Sequence, residues 1–180
     1  AELYRGINIM VSGGKSFQNK ETGENADSTT WSALANLLPH PSLNLSYFFS
    51  STESDQSGGD KPEVSTHINR TDVSASYTPF RTLYLVATLS TIADLEKNRR
   101  ASNYALNWSP FPDGTLQFSF AYNESWTSEM DAMTRTLSPA LRWNVSRTSY
   151  LIASYQVTNS EADVGSSDSK AFSTNLVAFY

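Results

Sequence analysis

Apolar and polar residues alternate along most of this chain, in segments of about seven to ten residues. The clearest segment covers 116–123, with Leu, Phe, Phe and Tyr at the even positions and Gln, Ser, Ala and Asn at the odd ones. Successive side chains of a strand point to opposite faces of its sheet, whereas a helix repeats every ~3.6 residues. The pattern therefore predicts strands with one apolar and one polar face.

About ten such segments follow one another, joined by two kinds of connector in regular alternation. We predict strands at 2–12, 29–37, 43–49, 63–77, 83–89, 103–108, 116–123, 133–145, 151–157 and 172–180. Short turns join alternate pairs of strands at 39–42, 78–81, 110–114 and 146–148, and longer polar connectors occupy 13–28, 51–61, 93–100, 124–131 and 159–169. Short turns at one end and longer connectors at the other are typical of an up-and-down β-barrel that crosses a membrane.

The composition is compatible with such a barrel. Hydrophobic residues make up 39% of the 180 residues, and no stretch approaches the roughly 20 apolar residues of a membrane helix. A barrel strand needs an apolar residue only at every second position. We therefore expect residues 1–180 to form a single all-β domain, a transmembrane antiparallel barrel of about ten strands or part of a larger one.

The segment 63–77 departs from simple alternation. Its apolar residues change from even to odd positions between Ile68 and Val73. The change predicts either a β-bulge within 69–72 or a first half of the strand that lies outside the membrane.

The last predicted strand ends on an aromatic residue, Tyr180, and places Phe172, Thr174, Leu176 and Ala178 on the same face. This ending resembles the C-terminal signature of bacterial outer-membrane β-barrels, although Thr174 departs from the apolar preference at its position. The resemblance implies a porin-like protein in the outer membrane of a Gram-negative bacterium, with an assembly signal formed by Phe172, Leu176 and Tyr180. It also implies that outer-membrane lipids and the barrel-assembly machinery are partners of the chain.

Aromatic residues make up 12% of the chain and gather near the predicted strand ends. Two belts of rings are expected around a membrane barrel, because amphipathic rings prefer the headgroup region. Near the short turns lie Tyr77, Phe80, Trp108, Phe111, Trp143, Tyr150 and Tyr180, and near the longer connectors lie Trp31, Phe49, Tyr122, Trp126 and Tyr155. The alternative explanation is the general preference of aromatic residues for strands.

The predicted inward face consists mainly of Gly, Ser, Thr, Asn, Ala and Gln. A closed barrel of about eight strands is just wide enough for side chains to fill. Small neutral residues therefore predict a wider, wet lumen, a plug or partner chain, or further strands from missing sequence or identical subunits. The candidate lumen-facing residues are Arg142, Asn144, Asn107, Gln117 and Asn175. A lumenal Arg142 favours anions, and the alternative is an arginine near the barrel end that reaches interfacial water.

Little in the chain indicates catalysis. It has no cysteine and a net charge of −5, which excludes disulfides and cysteine metal sites and provides no basic surface for nucleic acid. Glu63, His67 and Asp72 come nearest to a metal or hydrolytic site, but alternation places His67 and Asp72 on opposite faces unless a bulge intervenes. We therefore expect no catalytic residue, metal or cofactor, and no enzymatic activity.

Three functions stay open. The first is a pore or transport conduit for small polar solutes, or the C-terminal part of one. The second is a non-conducting barrel that anchors or houses a partner protein, and the third, least favoured, is an outer-membrane hydrolase with a rim site. A soluble lipocalin-like barrel or sandwich is the competing fold, and it requires the larger apolar residues to pack together in a dry interior.

Overall fold

The computed structural model describes residues 2–4, 6–19, 25–57, 64–94, 97–129, 131–146, 148–163 and 165–178. Within these ranges the chain forms eleven β-strands: β1 (Glu2–Tyr4), β2 (Ile7–Asn19), β3 (Asn25–His40), β4 (Leu43–Ser57), β5 (Val64–Phe80), β6 (Leu83–Ala93), β7 (Asn98–Trp108), β8 (Leu116–Thr127), β9 (Ala132–Ser146), β10 (Ser149–Ala162) and β11 (Gly165–Ala178). They form one antiparallel sheet in which spatial order follows chain order. The described residues include no helix long and apolar enough to cross a membrane.

The predicted up-and-down topology is confirmed. Each long strand, from β2 to β11, overlaps one predicted strand, and each pairs with its sequence neighbours. The turns at 41–42 and 81–82 contain two residues each, and the turn between β7 and β8 covers 109–115. These turns and the one between β9 and β10 lie at the same end of the sheet, which we call the short-turn end.

The longer connectors were predicted wrongly, because most of their residues continue the strands. β2 extends to Asn19, which pairs with Asn25 of β3, and β10 extends to Ala162, which pairs with Gly165 of β11. Backbone hydrogen bonds hold such a hairpin whatever the polarity of its side chains. Loss of the apolar alternation therefore marks where the apolar band ends and not where the strand ends.

β5 is regular at the place where a bulge was one of two predictions. It pairs with β4 without a register shift, from Val64 opposite Gln56 to Tyr77 opposite Leu43. The bulge prediction is therefore wrong. Unbroken alternation puts Val64 and Ile68 on the same side as the polar residues that follow them.

The first predicted strand is divided at Gly6. This residue has φ +94°, and its carbonyl accepts a hydrogen bond of 2.6 Å from the backbone N–H of Leu38. A Cβ atom at this position would lie 2.8 Å from the carbonyl oxygen of Leu38. Both the left-handed backbone and the close approach require glycine here.

The ladder between β9 and β10 is interrupted at Pro139. Pro139 opposes Phe120 on the β8 side, but on the β10 side pairing stops at Ser154 and resumes at Val157. Proline has no N–H to donate, so the missing hydrogen bond falls on the β10 side. Proline in a strand away from the sheet edge is unusual for this reason.

No apolar side chain is buried among the described residues, and the residues that are buried are Ser51 and Ser102. β1 and β11 are the edge strands, and β1 covers only Ile7 and Asn8 of β2. Among the described residues neither β1 nor β2 pairs with β11, so the sheet is open. A soluble domain needs an apolar core between layers. The large residues of this sheet do not pack into one, which argues against the lipocalin-like and sandwich alternatives.

Candidate functional site

Cross-strand pairing sorts the side chains into two faces, because opposed residues of a ladder point the same way. One rung of the sheet consists of Leu45, Ala75, Ala87, Tyr104, Tyr122, Leu137 and Val157. The neighbouring rung, on the opposite face, consists of Ser46, Ser74, Thr88, Asn103, Asn123, Thr136 and Thr158. We call these two sides of the sheet the apolar face and the polar face.

Aromatic rings of neighbouring strands pack against each other on the apolar face. The ring centroids are 4.7 Å apart in Trp31–Phe49, 6.2 Å in Tyr104–Tyr122 and 5.5 Å in Trp108–Phe118. Leu106 and Phe120 oppose each other between the last two pairs. Phe120 is nevertheless 41% exposed, so this face is uncovered.

Hydroxyl groups pair across the strands of the polar face. The oxygen atoms are 2.7 Å apart in Ser12–Ser32, 3.1 Å in Thr30–Thr52, 2.6 Å in Ser46–Ser74, 3.2 Å in Thr134–Ser160 and 3.2 Å in Thr136–Thr158. Such pairs stabilise neighbouring strands while leaving short side chains above the sheet. The polar face is therefore hydrophilic over most of its width.

Charged side chains are sorted between the two faces. In the described strands β2–β11, the polar face carries Arg70, Asp72, Arg99 and Arg142. The apolar-face side of the same strands carries Lys15, Asp27, Glu53, Asp55, Arg100, Glu124, Arg135, Glu161, Asp168 and Lys170. Three positive charges and one negative charge give the polar face a net charge of +2. The opposite side carries four positive and six negative charges, which give it a net charge of −2.

One of the arginines on the polar face is neutralised locally. Arg70 Nε lies 2.7 Å from Asp72 Oδ2, and the Ser90 hydroxyl donates a 2.5 Å hydrogen bond to Asp72 Oδ1. Arg70 and Arg99 lie on the same rung with Ile92 between them. Two strand spacings of about 4.8 Å therefore separate their backbones.

Arg142 has no carboxylate partner among the described residues. Its Nε donates to Asn144 Oδ1 at 3.1 Å, and its Cζ atom lies 4.2 Å from the centroid of the Tyr150 ring. Asn144 Nδ2 donates in turn to the carbonyl of Gly114 at 2.8 Å. A turn and two strands therefore hold the guanidinium at the short-turn end. A cavity of about 740 Å³ opens beside it.

Asp113 lines the same cavity from the turn between β7 and β8. Its carboxylate accepts hydrogen bonds from the Thr115 hydroxyl at 2.6 Å and the Thr115 backbone N–H at 3.1 Å. These two hydrogen bonds hold the pKa of Asp113 below its usual value of 3.8. The cavity thus contains one fixed positive charge and one carboxylate that belongs to a turn.

The five residues predicted to face a lumen all lie on the polar face. Gln117, Arg142 and Asn175 share one rung, and Asn144 is bonded to Arg142. Asn107 joins Gln117 and Arg142 in lining a second cavity of about 290 Å³. Whether they face a lumen remains a prediction.

The predicted aromatic belts are placed as follows. Tyr77, Trp108, Trp143, Trp31 and Tyr122 lie on the apolar face, and Phe111 lies in the turn 109–115. Tyr150 instead lies on the polar face, because it opposes Asn144 and underlies Arg142. Tyr180 lies outside the described residues. The belts as an interfacial feature remain a prediction.

Phe172 and Leu176, two members of the predicted assembly signal, lie on the apolar face of the edge strand β11, and each is 71% exposed. The third member, Tyr180, is outside the described residues. This arrangement leaves the two side chains accessible, and their role as a signal stays a prediction.

The candidate hydrolytic site does not assemble. Because β5 has no bulge, His67 and Asp72 lie on opposite faces, and Glu63 is outside the described residues. His67 Nε2 lies 3.0 Å from Asn69 Nδ2. The described residues contain no group of three His, Cys, Asp or Glu side chains that could hold a metal ion.

Sequence reasoning missed two members of the short-turn cavity. Asp113 stands in a Pro-Asp-Gly turn, a pattern that also marks ordinary turns. Tyr150 was assigned by its aromatic character, whereas its even position in β10 would have placed it with Ile152 and Ser154 on the polar face. Parity was the available signal for Tyr150.

No protein-family model matches this chain, and no curated protein matches it. Among solved structures, the outer membrane channel DcaP of Acinetobacter baumannii is similar with a TM-score of 0.61 and 8% identity, over 93% of this chain and 61% of that chain. An anion-selective porin from Comamonas acidovorans has a TM-score of 0.49 and 11% identity, over 95% and 57% of the two chains. The KdgM porin in complex with disordered oligogalacturonate has a TM-score of 0.33 and 8% identity, over 97% of this chain and 98% of that chain.

What the chain shares with DcaP is the fold. The likeness confirms the predicted fold class, an antiparallel transmembrane β-barrel, and the predicted resemblance to outer-membrane barrel proteins, although the sheet described here is open. The chain spans less than two thirds of the length of DcaP. At 8% identity the likeness concerns the fold alone and assigns no role to the residues of the site.

Proposed function

We propose that the chain forms the wall, or part of the wall, of an outer-membrane conduit for small polar solutes. The observation that carries the proposal is the pair of faces: rings and aliphatic side chains cover one side without burial, and hydroxyls and amides cover the other. In a bilayer the first side contacts lipid and the second encloses water. DcaP, a channel with the same fold, supports this assignment.

The edges of the sheet need partners inside a membrane, because hydrocarbon cannot hydrogen-bond free N–H and C=O groups. β2 and β11 run in opposite directions, so they are able to pair with each other, and further strands between them are the alternative. Introduced cysteine pairs, with one cysteine at Val11 and the other along β11, distinguish these two cases. The chain has no cysteine of its own that would form competing disulfides. An intrachain disulfide in bilayers supports direct closure, with Ala153 and Thr174, which already oppose each other, as the positive control.

The partners that we propose follow from the exposed surfaces. Outer-membrane lipids cover the apolar face, and the barrel-assembly machinery recognises Phe172 and Leu176 on β11. Replacing Leu176 by Ser is expected to lower the amount of folded barrel in outer membranes, measured by heat-dependent migration in SDS electrophoresis. Replacing Leu34, on the polar face, by Ser is the matched control.

A non-conducting barrel that houses a partner protein is the second candidate. The observation in its favour is an apolar row on the polar face, formed by Met10, Leu34 and Phe48 on adjacent strands, with Met10 60% exposed. Planar-bilayer recording separates the two functions. Steady single-channel conductance from the purified chain supports the conduit, and folded, membrane-inserted protein without conductance supports the housing.

We propose no enzymatic activity. The separation of His67 from Asp72 supports this view. Hydrolysis of a lipid or peptide substrate by the purified protein, lost on replacement of His67 by Ala, would contradict it.

A further inference from the structure

We infer that the conduit prefers anions, and that Arg142 is a selectivity-determining residue. The inference rests on the proposed function and names the solute class: small organic or inorganic anions that carry carboxylate or phosphate groups. It starts from the sorting of charge between the two faces of the sheet.

The chain as a whole is acidic, with a net charge of −5. Acidic side chains nevertheless avoid the polar face: of seven in the described strands β2–β11, Asp72 alone lies there. A solute inside the conduit therefore meets a positive wall. Charges on the opposite side of the sheet stand outside the barrel, where water and salt screen them over a Debye length of about 8 Å.

Arg142 contributes more to this field than Arg70 does. The carboxylate of Asp72 lies 2.7 Å from Arg70 and cancels most of its charge. The hydrogen-bond partner of Arg142 is a neutral amide, and the group under its guanidinium is the Tyr150 ring. The guanidinium is thus held in place while its charge stays available to a solute.

The position of Arg142 suits a selectivity residue. Asn107 and Gln117 line a cavity with it. Their amide N–H groups are able to donate hydrogen bonds to an anion that the guanidinium attracts. The opposing charge in this region is Asp113, which lines the short-turn cavity with Arg142 but forms no ion pair with it. Asp113 therefore weakens the anion preference without abolishing it.

The test is the ratio of anion to cation permeability, measured from reversal potentials of the full chain in planar bilayers under a KCl gradient. We expect a ratio above one for the unchanged protein. For an anion passing within ~4 Å of a charge in water, loss of that charge lowers the local concentration about five-fold, so Arg142→Gln is expected to lower the ratio severalfold. Arg142→Lys, which keeps the charge, is expected to preserve most of it.

Arg135→Gln is the matched control, because Arg135 lies on the other side of the sheet and pairs with Glu124 at 3.1 Å. It is expected to leave the ratio unchanged, whereas Asp113→Asn is expected to raise it. If Arg142→Gln does not fold, Arg99→Gln removes a charge from the same face and is expected to lower the ratio.

Each outcome has a distinct meaning. Conductance with a cation preference, or equal ratios for Arg142→Gln and Arg135→Gln, overturns the inference and leaves the proposed function intact. Folded protein without conductance overturns the proposed function and the inference together.

Discussion

Two adjacent residues in β7, Leu106 and Ala105, offer a direct test of which face meets lipid. Leu106 opposes Leu85 and Phe120 on the apolar face, between the ring pairs Trp108–Phe118 and Tyr104–Tyr122. Ala105 opposes Val86 and Ala121 on the polar face. An arginine near the bilayer midplane on the lipid side of a barrel costs about 2–4 kcal/mol. The same residue on the wet side keeps its hydration, so we expect a cost below about 1 kcal/mol there.

The assay is urea unfolding of Leu106→Arg and Ala105→Arg in phospholipid vesicles, followed by tryptophan fluorescence. With a slope of about 2 kcal/mol per molar urea, the first variant is expected to unfold at a midpoint about 1–2 M lower, and the second to stay close to the unchanged protein. Leu106→Met, which keeps the site apolar, is expected to lose less than about 1.5 kcal/mol. A larger loss from Ala105→Arg than from Leu106→Arg would refute the assignment of the faces.

Three further predictions concern the backbone and one turn. Gly6→Ala is expected to destabilise the protein by at least about 1 kcal/mol, because Gly6 has a positive φ and no room for a Cβ atom. Gly14→Ala is the control: no atom lies within 4 Å of the position of its Cβ atom, so the same unfolding assay should show no change. Pro139→Ala restores an N–H toward β10 and is expected to stabilise by about 0.5–1.5 kcal/mol, and faster amide exchange at Val157 in the variant would contradict this. Hydrogen bonds from Thr115 stabilise the ionised form of Asp113 and lower its pKa in the folded protein. Their contribution to the free energy of unfolding is therefore fully present above the usual pKa of 3.8. It is lost as the pH falls through the lower pKa of the folded state. Unfolding midpoints of the unchanged protein and Asp113→Asn should therefore differ near neutral pH and converge in strong acid, and a difference independent of pH would show that the carboxylate has no such role.

The limits of sequence-based prediction are clearest at the strand ends. Polar residues such as those of 13–19 and 159–162 were assigned to loops, yet they belong to β2 and β10. Side-chain polarity reports the surroundings of a strand, and the ladder depends on backbone hydrogen bonds that polarity does not reveal. The division at Gly6 was missed for a related reason, since it depends on the carbonyl of Leu38, more than thirty residues away.

The sequence by itself determined the fold class, the order of the strands and the face on which most residues of the alternating segments lie; Tyr150 and the first half of β5 are the exceptions. These properties are local, because alternation depends only on whether a residue is an odd or even number of positions from its neighbours. The tertiary structure alone decided the register. Pairing of β8 with β9 brings Gln117 beside Arg142, and the turn before β8 brings Asp113 to the same cavity. Such contacts depend on how strands align across the sheet, and the spacing of residues within one strand carries no information about that alignment.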